Sequence, residues 1–322
     1  MSLIDIFRNK KILQLTHLDL DGVASVIIGK YYLQPLCKNF EYEICDRDFN
    51  IDEKKIKKAD YILFTDITPT KDYYDNLIKM KKKVYLFDHH VSGKEELGAV
   101  DNYYYDLDKC GAKIFFDELS KNQQIKRIVN QFVELVDVRD RWKDKSALWK
   151  KASDLNSVLF GNINWFDKTQ TNNDRYKFFI DYQIDKFNYN GRSNFFFTDL
   201  EKGMAEKGVI KEKNALEEAR KSLRLRKDGE GNGYLYIECN SKLSYVSNIL
   251  LNEYRDKIKY VVAYSTFNKE EDGTEISLRS NNDFDCSILA RLHGGGGHKS
   301  ASGIKLEHSF FKKLKNGDVH LL

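Results

Sequence analysis

Apolar residues in the first hundred positions fall into short runs separated by stretches with helical spacing. Lys11–Thr16, Glu41–Cys45, Tyr61–Thr65 and Val84–Phe87 have the length and composition of buried strands. Between them, Val23–Tyr32 sets Val23, Val26, Ile27 and the Tyr31/Tyr32 pair on one helical face, and Ile51–Lys58 is charged and helical. Thr68-Pro69 offers an N-cap and a first-turn proline for a helix reaching about Met80. Strand alternating with helix predicts an α/β fold with a doubly wound parallel sheet. Val100–Tyr105 reads as a further strand, Ala112–Leu119 and Gln123–Val136 as helices, and the second helix runs into Asp137-Val138-Arg139-Asp140-Arg141-Trp142.

The pattern changes near residue 150. Asp154–Asn194 is polar and aromatic with short helices, one of them near Asp174–Phe187. Asp199–Lys227 is a long charged stretch that predicts a connecting helix interrupted at Gly208. Gly229, Gly231 and Gly233 read as a linker. Beyond them, strands at Tyr234–Cys239, Tyr260–Thr266 and Thr274–Arg279 and helices at Ser244–Tyr254 and Ser287–Leu292 make a second, smaller α/β domain. The expected division is 1–150, a helical connector 151–230, and 231–322.

A chain of 322 residues suits two domains, and a hydrophobic fraction of 41% with 13% aromatics can fill both cores. The net charge of +4 is too small for a general nucleic-acid coat but allows a short anionic substrate in one pocket. The lysines of Lys54–Lys58 and Lys79–Lys83 read as solvated faces. Five cysteines, an odd number with no CxxC pair, point to reduced thiols in the cytoplasm. No signal-peptide core and no membrane-length apolar run occurs, so no membrane partner is expected.

Three of the predicted strands end in groups that can bind metals: His17, Asp19 and Asp21; Asp66; and Asp88, His89 and His90. In a parallel sheet the carboxyl ends of the strands share one edge, where α/β folds bind ligands. Asp137, after the apolar run Phe132–Val136, can reach the same edge. Each acid alone reads equally well as a cap or a solvated turn residue. Together they need a counter-charge, because carboxylates are rarely buried unless paired or bound to metal. Two divalent cations about 4 Å apart clamp a phosphate and activate a water. Carboxylate and imidazole without thiolate suit Mn²⁺, with Mg²⁺ and Co²⁺ as alternatives. Arg139, Asp140 and Arg141 read as a salt-bridged helix end, with an arginine–phosphate contact as the alternative.

The C-terminal half carries His293-Gly294-Gly295-Gly296-Gly297-His298, whose bare N–H groups can wrap an anion. His298 adds a donor, and Arg279, in Ser277-Leu278-Arg279-Ser280, a guanidinium suited to phosphate. Phe195-Phe196-Phe197 reads as a packed hinge, with base stacking as the alternative.

Thr16-His17-Leu18-Asp19-Leu20-Asp21-Gly22, the lone Asp66, Asp88-His89-His90 and Asp137 resemble the four motifs of the DHH phosphoesterase superfamily. The His-x-Asp-x-Asp-Gly opening and the Asp-x-x-Asp-x-Trp of Asp137–Trp142 resemble its branch of NrnB-type oligoribonucleases and cyclic-nucleotide phosphodiesterases. Arg279, Ser280, Asp285, Gly294–His298 and Ala301-Ser302-Gly303 resemble the DHH-associated substrate-binding domain. The resemblance implies two Mn²⁺ ions on His17, Asp19, Asp21, Asp66, His89 and Asp137, with Asp66 bridging. It implies His90 toward the substrate phosphate, Asp88 orienting an imidazole, and Arg279, Ser280, Gly294, Gly295, Gly296, Gly297 and His298 gripping the nucleotide. His90, Asp88, Arg279 and His298 are then the residues expected to carry the chemistry.

The implied activity is hydrolysis of short oligoribonucleotides (nanoRNA) to mononucleotides. The alternatives are a cyclic mono- or dinucleotide phosphodiesterase and a 3′-phosphoadenosine 5′-phosphate phosphatase. A single-strand DNA exonuclease ranks lower, because that branch usually carries an extra nucleic-acid-binding domain. An inactive nucleotide sensor ranks lower too, because no ligand position is lost. The expected partner is a short RNA or nucleotide, and a homodimer is allowed.

Overall fold

The four apolar runs of the first hundred positions are strands of one sheet. The computed structural model describes residues 2–45, 49, 51–161, 169–189, 191–239, 241–265, 274–281, 283–318 and 321. It divides into two units, Met1–Gly208 and Val209–Leu322. The first contains α1 (Leu3–Phe7), β1 (Lys11–Thr16), α2 (Leu20–Tyr32), β2 (Asn39–Ile44), α3 (Glu53–Lys58), β3 (Tyr61–Thr65), α4 (Lys71–Lys79), β4 (Lys83–Asp88), α5 (Val91–Leu97), β5 (Tyr103–Tyr105), α6 (Gly111–Leu119), α7 (Arg127–Asp140), α8 (Trp149–Gly161) and α9 (Asn172–Asn188). The helix α10 (Asp199–Ser222) begins in it.

The sheet order is β2-β1-β3-β4-β5, and every pairing is parallel. The chain steps outward from β1 to β2, then returns to β3 on the other side. That reversal opens a crevice at the carboxyl ends of β1 and β3. Successive strand residues point to opposite faces, and both faces are covered. Ile12, Leu63 and Phe87 pack with Val23, Ile27, Phe115 and Phe132 of α2, α6 and α7. Leu13, Ile62, Phe64 and Leu86 pack with Ile56, Tyr74 and Leu77 of α3 and α4. Strands buried on both sides read as continuous apolar runs, which is why the sequence shows them.

A polar ladder ties β1 to β3 beneath that crevice. The Gln14 amide donates to Thr65 Oγ1 at 2.9 Å, and Thr16 Oγ1 donates to the Thr65 carbonyl at 2.8 Å. All three residues are fully buried, so the groups need each other.

Several expectations shift. The N-cap of α4 is Thr70, whose side chain accepts from the Tyr73 N–H, so Thr68 is released for another role. The helix α10 is continuous through Gly208, where an added Cβ would lie 2.3 Å from Ser157 Oγ. Glycine there serves close helix packing rather than a break. Leu155, Val158, Tyr176, Ile180 and Phe187 of α8 and α9 join the core of the first unit, so the helices expected as a connector build that core. Phe195 is packed as well: it is 3% exposed, with the Lys186 ammonium 4.3 Å from its ring centre.

The second unit contains the end of α10, then β6 (Arg224–Lys227), β7 (Gly233–Cys239), α11 (Leu243–Glu253), β8 (Tyr260–Ser265), β9 (Thr274–Ser280), α12 (Cys286–Leu292), β10 (Gly296–His298), β11 (Ala301–Leu306) and α13 (His308–Asn316). Its sheet order is β10-β11-β9-β8-β7-β6, with only β7 and β8 parallel. Thr266, the expected last residue of one strand, lies outside the described residues. Gly229 and Gly231 lie in a hairpin turn between β6 and β7, closed by hydrogen bonds between Asp228 and Asn232 (3.0 Å) and Gly231 and Asp228 (3.0 Å), and Gly233 opens β7 opposite Lys227. Among the described residues no helix is long and apolar enough to cross a membrane.

The Lys186 ammonium bonds both oxygens of Glu201, at 2.9 and 3.0 Å, and the two side chains are 5% and 2% exposed. Lys186→Met should cost about 3–5 kcal/mol in urea unfolding, because it leaves a buried carboxylate without its cation. Lys186→Met/Glu201→Gln should recover at least half of that. A double variant no more stable than the single one would show that the pair is not what the region depends on.

Candidate active site

The carboxyl ends of β1, β3 and β4 deliver the acids and imidazoles to one place. His17 follows β1, and Asp19 caps α2 by accepting from the Gly22 N–H at 3.1 Å. Asp66 follows β3 in the left-handed region, at φ +58, a conformation aspartate tolerates better than most residues. Asp88 ends β4, and His90 is the N-cap of α5.

Asp66 is the centre. Its Oδ2 lies 4.0 Å from His17 Nδ1, and its Oδ1 lies 3.5 Å from His89 Nε2 and 4.0 Å from His90 Nδ1. On one side His17 pairs with Asp19 at 3.1 Å. On the other, His89 Nε2 lies 3.5 Å from Asp140 and 3.8 Å from Asp21. Two metal-sized sets result, His17/Asp19/Asp66 and Asp21/His89/Asp140, each with its ligand atoms within 4.8 Å. A third set, Asp66/Asp88/His89/His90, overlaps them at Asp66 and His89.

The electrostatics of this cluster are unresolved by the protein's own groups. Asp66 is 2% exposed, and among the described residues neither of its oxygens accepts a hydrogen bond. Burial first, then the charges on Asp19, Asp21, Asp140 and Asp88, push its pKa well above the usual carboxylate range. Burial and then the charge on Asp140 push Asp21 up to about 6. Burial, opposed by His89 and reinforced by Asp19, pushes Asp140 up to about 6. Burial works against a charged His89, but Asp140, Asp21 and Asp88 more than offset it and raise its pKa. A buried carboxylate with no donor, ringed by acids and imidazoles, fits divalent cations on chemical grounds.

Asp88 is different. It is fully buried, and its oxygens are fully engaged. Oδ1 accepts from the His89 N–H at 2.8 Å and meets His90 Nδ1 at 2.7 Å, and Oδ2 accepts from Thr68. Burial opposes its charge, but the His90 ring, then His89 and Thr68, hold its pKa below the usual range. Asp88 therefore orients His90 rather than facing the crevice itself.

Asp21 also serves the scaffold. Both oxygens accept from the N-terminus of α6, from Gly111 at 2.6 Å and Ala112 at 2.8 Å, where the helix dipole favours an anion. Position 111 has no room for a side chain, since a Cβ would lie 2.8 Å from Asp66 Cα and Cβ. This close approach holds α6 against the base of Asp66.

Asp137 is not in the cluster. Its carboxylate accepts from the Cys110 N–H at 2.9 Å and is paired with Lys143. Asp140, three residues further along α7, comes to His89 instead. The phase of α7 could have revealed this: buried Val129, Val133 and Val136 continue at spacings of 4, 3 and 4 to Asp140, a single helical stripe. Arg141 pairs with Asp108, and Arg139 lies over Trp142 at 4.8 Å and Trp149 at 5.4 Å, so both arginines hold the helix end.

In the second unit Arg279 is half-buried on β9. Its guanidinium donates to Ser277 Oγ (3.0 Å), the Leu278 carbonyl (2.7 Å) and Ser244 Oγ (2.7 Å). Ser280 is 5% exposed, and its hydroxyl lies on the carbonyls of Phe284 (2.8 Å) and Lys299 (2.9 Å). It fastens the turn after β9 and presents no outward donor. The glycine run is not one continuous anion nest. Gly294 is exposed in a turn at φ +74, Gly295 follows, and Gly296 and Gly297 enter β10, Gly297 at φ +138. His298 ends β10, half-buried, and its carbonyl accepts from Ser302 at 2.8 Å.

Comparison with known proteins agrees with this architecture. The DHHA1 domain family matches residues 232–316. A 3′,5′-cyclic-nucleotide phosphodiesterase of Helicobacter pylori is 25% identical over 339 aligned positions, covering 92% of this chain and 93% of that protein. A solved pGpG-specific phosphodiesterase, PggH of Vibrio cholerae, superposes with a TM-score of 0.53 at 11% identity, covering 95% of this chain and 97% of that one. RecJ of Thermus thermophilus, solved in complex with Mn²⁺, superposes with a TM-score of 0.59 at 13% identity, covering 98% of this chain and 52% of that one. At these identities the two structures bear on the fold.

The geometry ranks two neighbouring acids. In calorimetric titration with Mn²⁺, Asp140→Asn should weaken binding at least about tenfold and Asp137→Asn by less than about threefold. The reverse order would mean that α7 offers the other aspartate.

Proposed function

We propose that this chain, a member of the DHH superfamily, is a divalent-metal-dependent phosphodiesterase acting on short linear ribonucleotides. The observation that carries the reading is the convergence of three acid–imidazole sets around the donor-less carboxylate of Asp66. His17, Asp19 and Asp66 would hold one cation. Asp21, His89 and Asp140, with the other oxygen of Asp66, would hold a second. Mn²⁺ is the ion we assign, from the mixed oxygen and nitrogen donors and the absence of thiolate. When bound, the cations supply an activated water and neutralise charge developing on the phosphoryl group.

The chain's own groups supply position. Asp88 fixes His90 through Nδ1, so the other ring nitrogen is aimed at a phosphoryl oxygen. Asp21 and α6 keep the floor of the site rigid. In the second unit we assign Arg279 and His298 to the substrate's phosphate.

Two relatives point to different substrates. PggH, a structural neighbour along its whole length, is named for a linear dinucleotide. The Helicobacter pylori relative, named for 3′,5′-cyclic nucleotides, favours a cyclic mononucleotide as the second reading. We place the enzyme in the cytoplasm, which its five free thiols support.

A panel of pGpG, other diribonucleotides, 3′,5′-cyclic AMP and cyclic dinucleotides, assayed with Mn²⁺, separates the readings. The expected result is fastest release of mononucleotides from linear diribonucleotides. Asp66→Asn should remove at least about a hundredfold of the rate while unfolding no earlier than the parent. Preference for cyclic AMP would replace the first reading by the second, and near-full activity in Asp66→Asn would overturn the site.

A further inference from the structure

We propose that Thr68 and Tyr103 form a positioning relay that fixes the Asp88 carboxylate and, through it, the tautomer and direction of the His90 ring. The inference rests on the phosphodiesterase reading above, in which His90 faces the phosphate.

Thr68 lies two residues beyond Asp66 and does not cap α4, where Thr70 takes that place. Its hydroxyl is bonded to Asp88 Oδ2 and lies 3.1 Å from the Tyr103 hydroxyl. Proton counting fixes the directions. A carboxylate only accepts, so the single proton of Thr68 goes to Asp88. The contact with Tyr103 is then donated by the phenol. Asp88 Oδ1 already accepts the His89 N–H, so its 2.7 Å contact with His90 Nδ1 must be donated by the ring. Nδ1 therefore carries the proton, and Nε2 is the nitrogen directed away from Asp88. The relay runs Tyr103 to Thr68 to Asp88, with His90 donating from the other side.

Gly93 on α5 shows that the space is shaped for this contact. A Cβ there would lie 2.5 Å from Thr68 Oγ1, 2.6 Å from Thr68 Cβ and 3.1 Å from Asp88 Oδ2. Removing the Thr68 hydroxyl would leave Oδ2 buried without its donor, a costly state for a charged oxygen. The carboxyl would then hold the ring less firmly.

The test is steady-state kinetics with Mn²⁺ on Thr68→Val, Thr68→Ser and Tyr103→Phe, with Thr68→Val repeated in an Asp88→Asn background. Thr68→Val should lower kcat by about ten- to fiftyfold with KM changed less than about threefold, in the range seen for groups that orient catalytic residues. Thr68→Ser should restore most of the rate, and Tyr103→Phe should lose less than Thr68→Val. In Asp88→Asn, adding Thr68→Val should cost less than about twofold, because the partner is already changed. Wild-type kcat in Thr68→Val, or an equal loss in both backgrounds, would overturn the relay. The low-field proton signal of His90 Nδ1–H gives a second readout that needs no turnover. It should move in Thr68→Val and stay in Thr68→Ser, and a signal unmoved in Thr68→Val would also overturn the relay. A wild-type chain that cleaves no phosphodiester would sink the functional reading, while this signal would still decide the relay.

Discussion

Several carboxylates are forced together around Asp66, and the rest of the first unit follows from holding them there. Two like charges about 4 Å apart repel by about 4 kcal/mol even at the effective dielectric of a protein surface. Asp66, buried and without a donor, sits among Asp19, Asp21, Asp88 and Asp140, all of which act with burial to raise its pKa. Such a cluster stores unfavourable energy unless cations or protons neutralise it. The fold accepts that cost at one point and supports it from every side.

The support is specific to each acid. The parallel sheet brings β1, β3 and β4 to one edge, and the Gln14–Thr65–Thr16 ladder locks two of them together. The α6 N-terminus binds Asp21. Asp88 is satisfied by hydrogen bonds from the His89 N–H, the His90 ring and the Thr68 hydroxyl. Only Asp66 and its neighbours toward the crevice are left to a ligand. Asp88 is the acid given wholly to the scaffold, Asp21 and Asp19 serve both the scaffold and the crevice, and Asp66 has no donor at all.

Much of this was legible in the sequence. Strands buried on both faces give unbroken apolar runs, so Lys11–Thr16 and Tyr61–Thr65 were found to the residue. The convergence of His17, Asp66 and His89 followed from sheet topology alone. Helix phase was harder. Asp137 and Asp140 lie less than one turn apart, and only tertiary packing decides which reaches His89. Glycine was misread where it serves contact rather than flexibility: Gly208 lies against Ser157, and Gly229–Gly233 closes a hairpin. Thr68 reads as a helix cap and Ser280 as a nucleotide contact, but their hydroxyls go to groups distant in the chain or across a turn: Asp88 and Tyr103 for Thr68, the Phe284 and Lys299 carbonyls for Ser280.

The central claim is that the cluster is built for cations, and the stability of the metal-stripped chain against pH tests it most directly. Burial and the neighbouring acids push Asp21 and Asp140 up to about 6 in the folded chain, against about 3.9 when unfolded. Between these values the folded state holds more protons, so its stability falls as pH rises. His89, with its raised pKa, extends the fall above the unfolded histidine value of about 6.5. Asp88, held low, contributes its change only below about 4. The account predicts that the stripped chain melts at progressively lower temperature from about pH 4.5 to 7.5, and that saturating Mn²⁺ removes or reverses the trend. A stripped chain that gains stability over this range, or one that Mn²⁺ leaves unchanged at about pH 7.5, would contradict it.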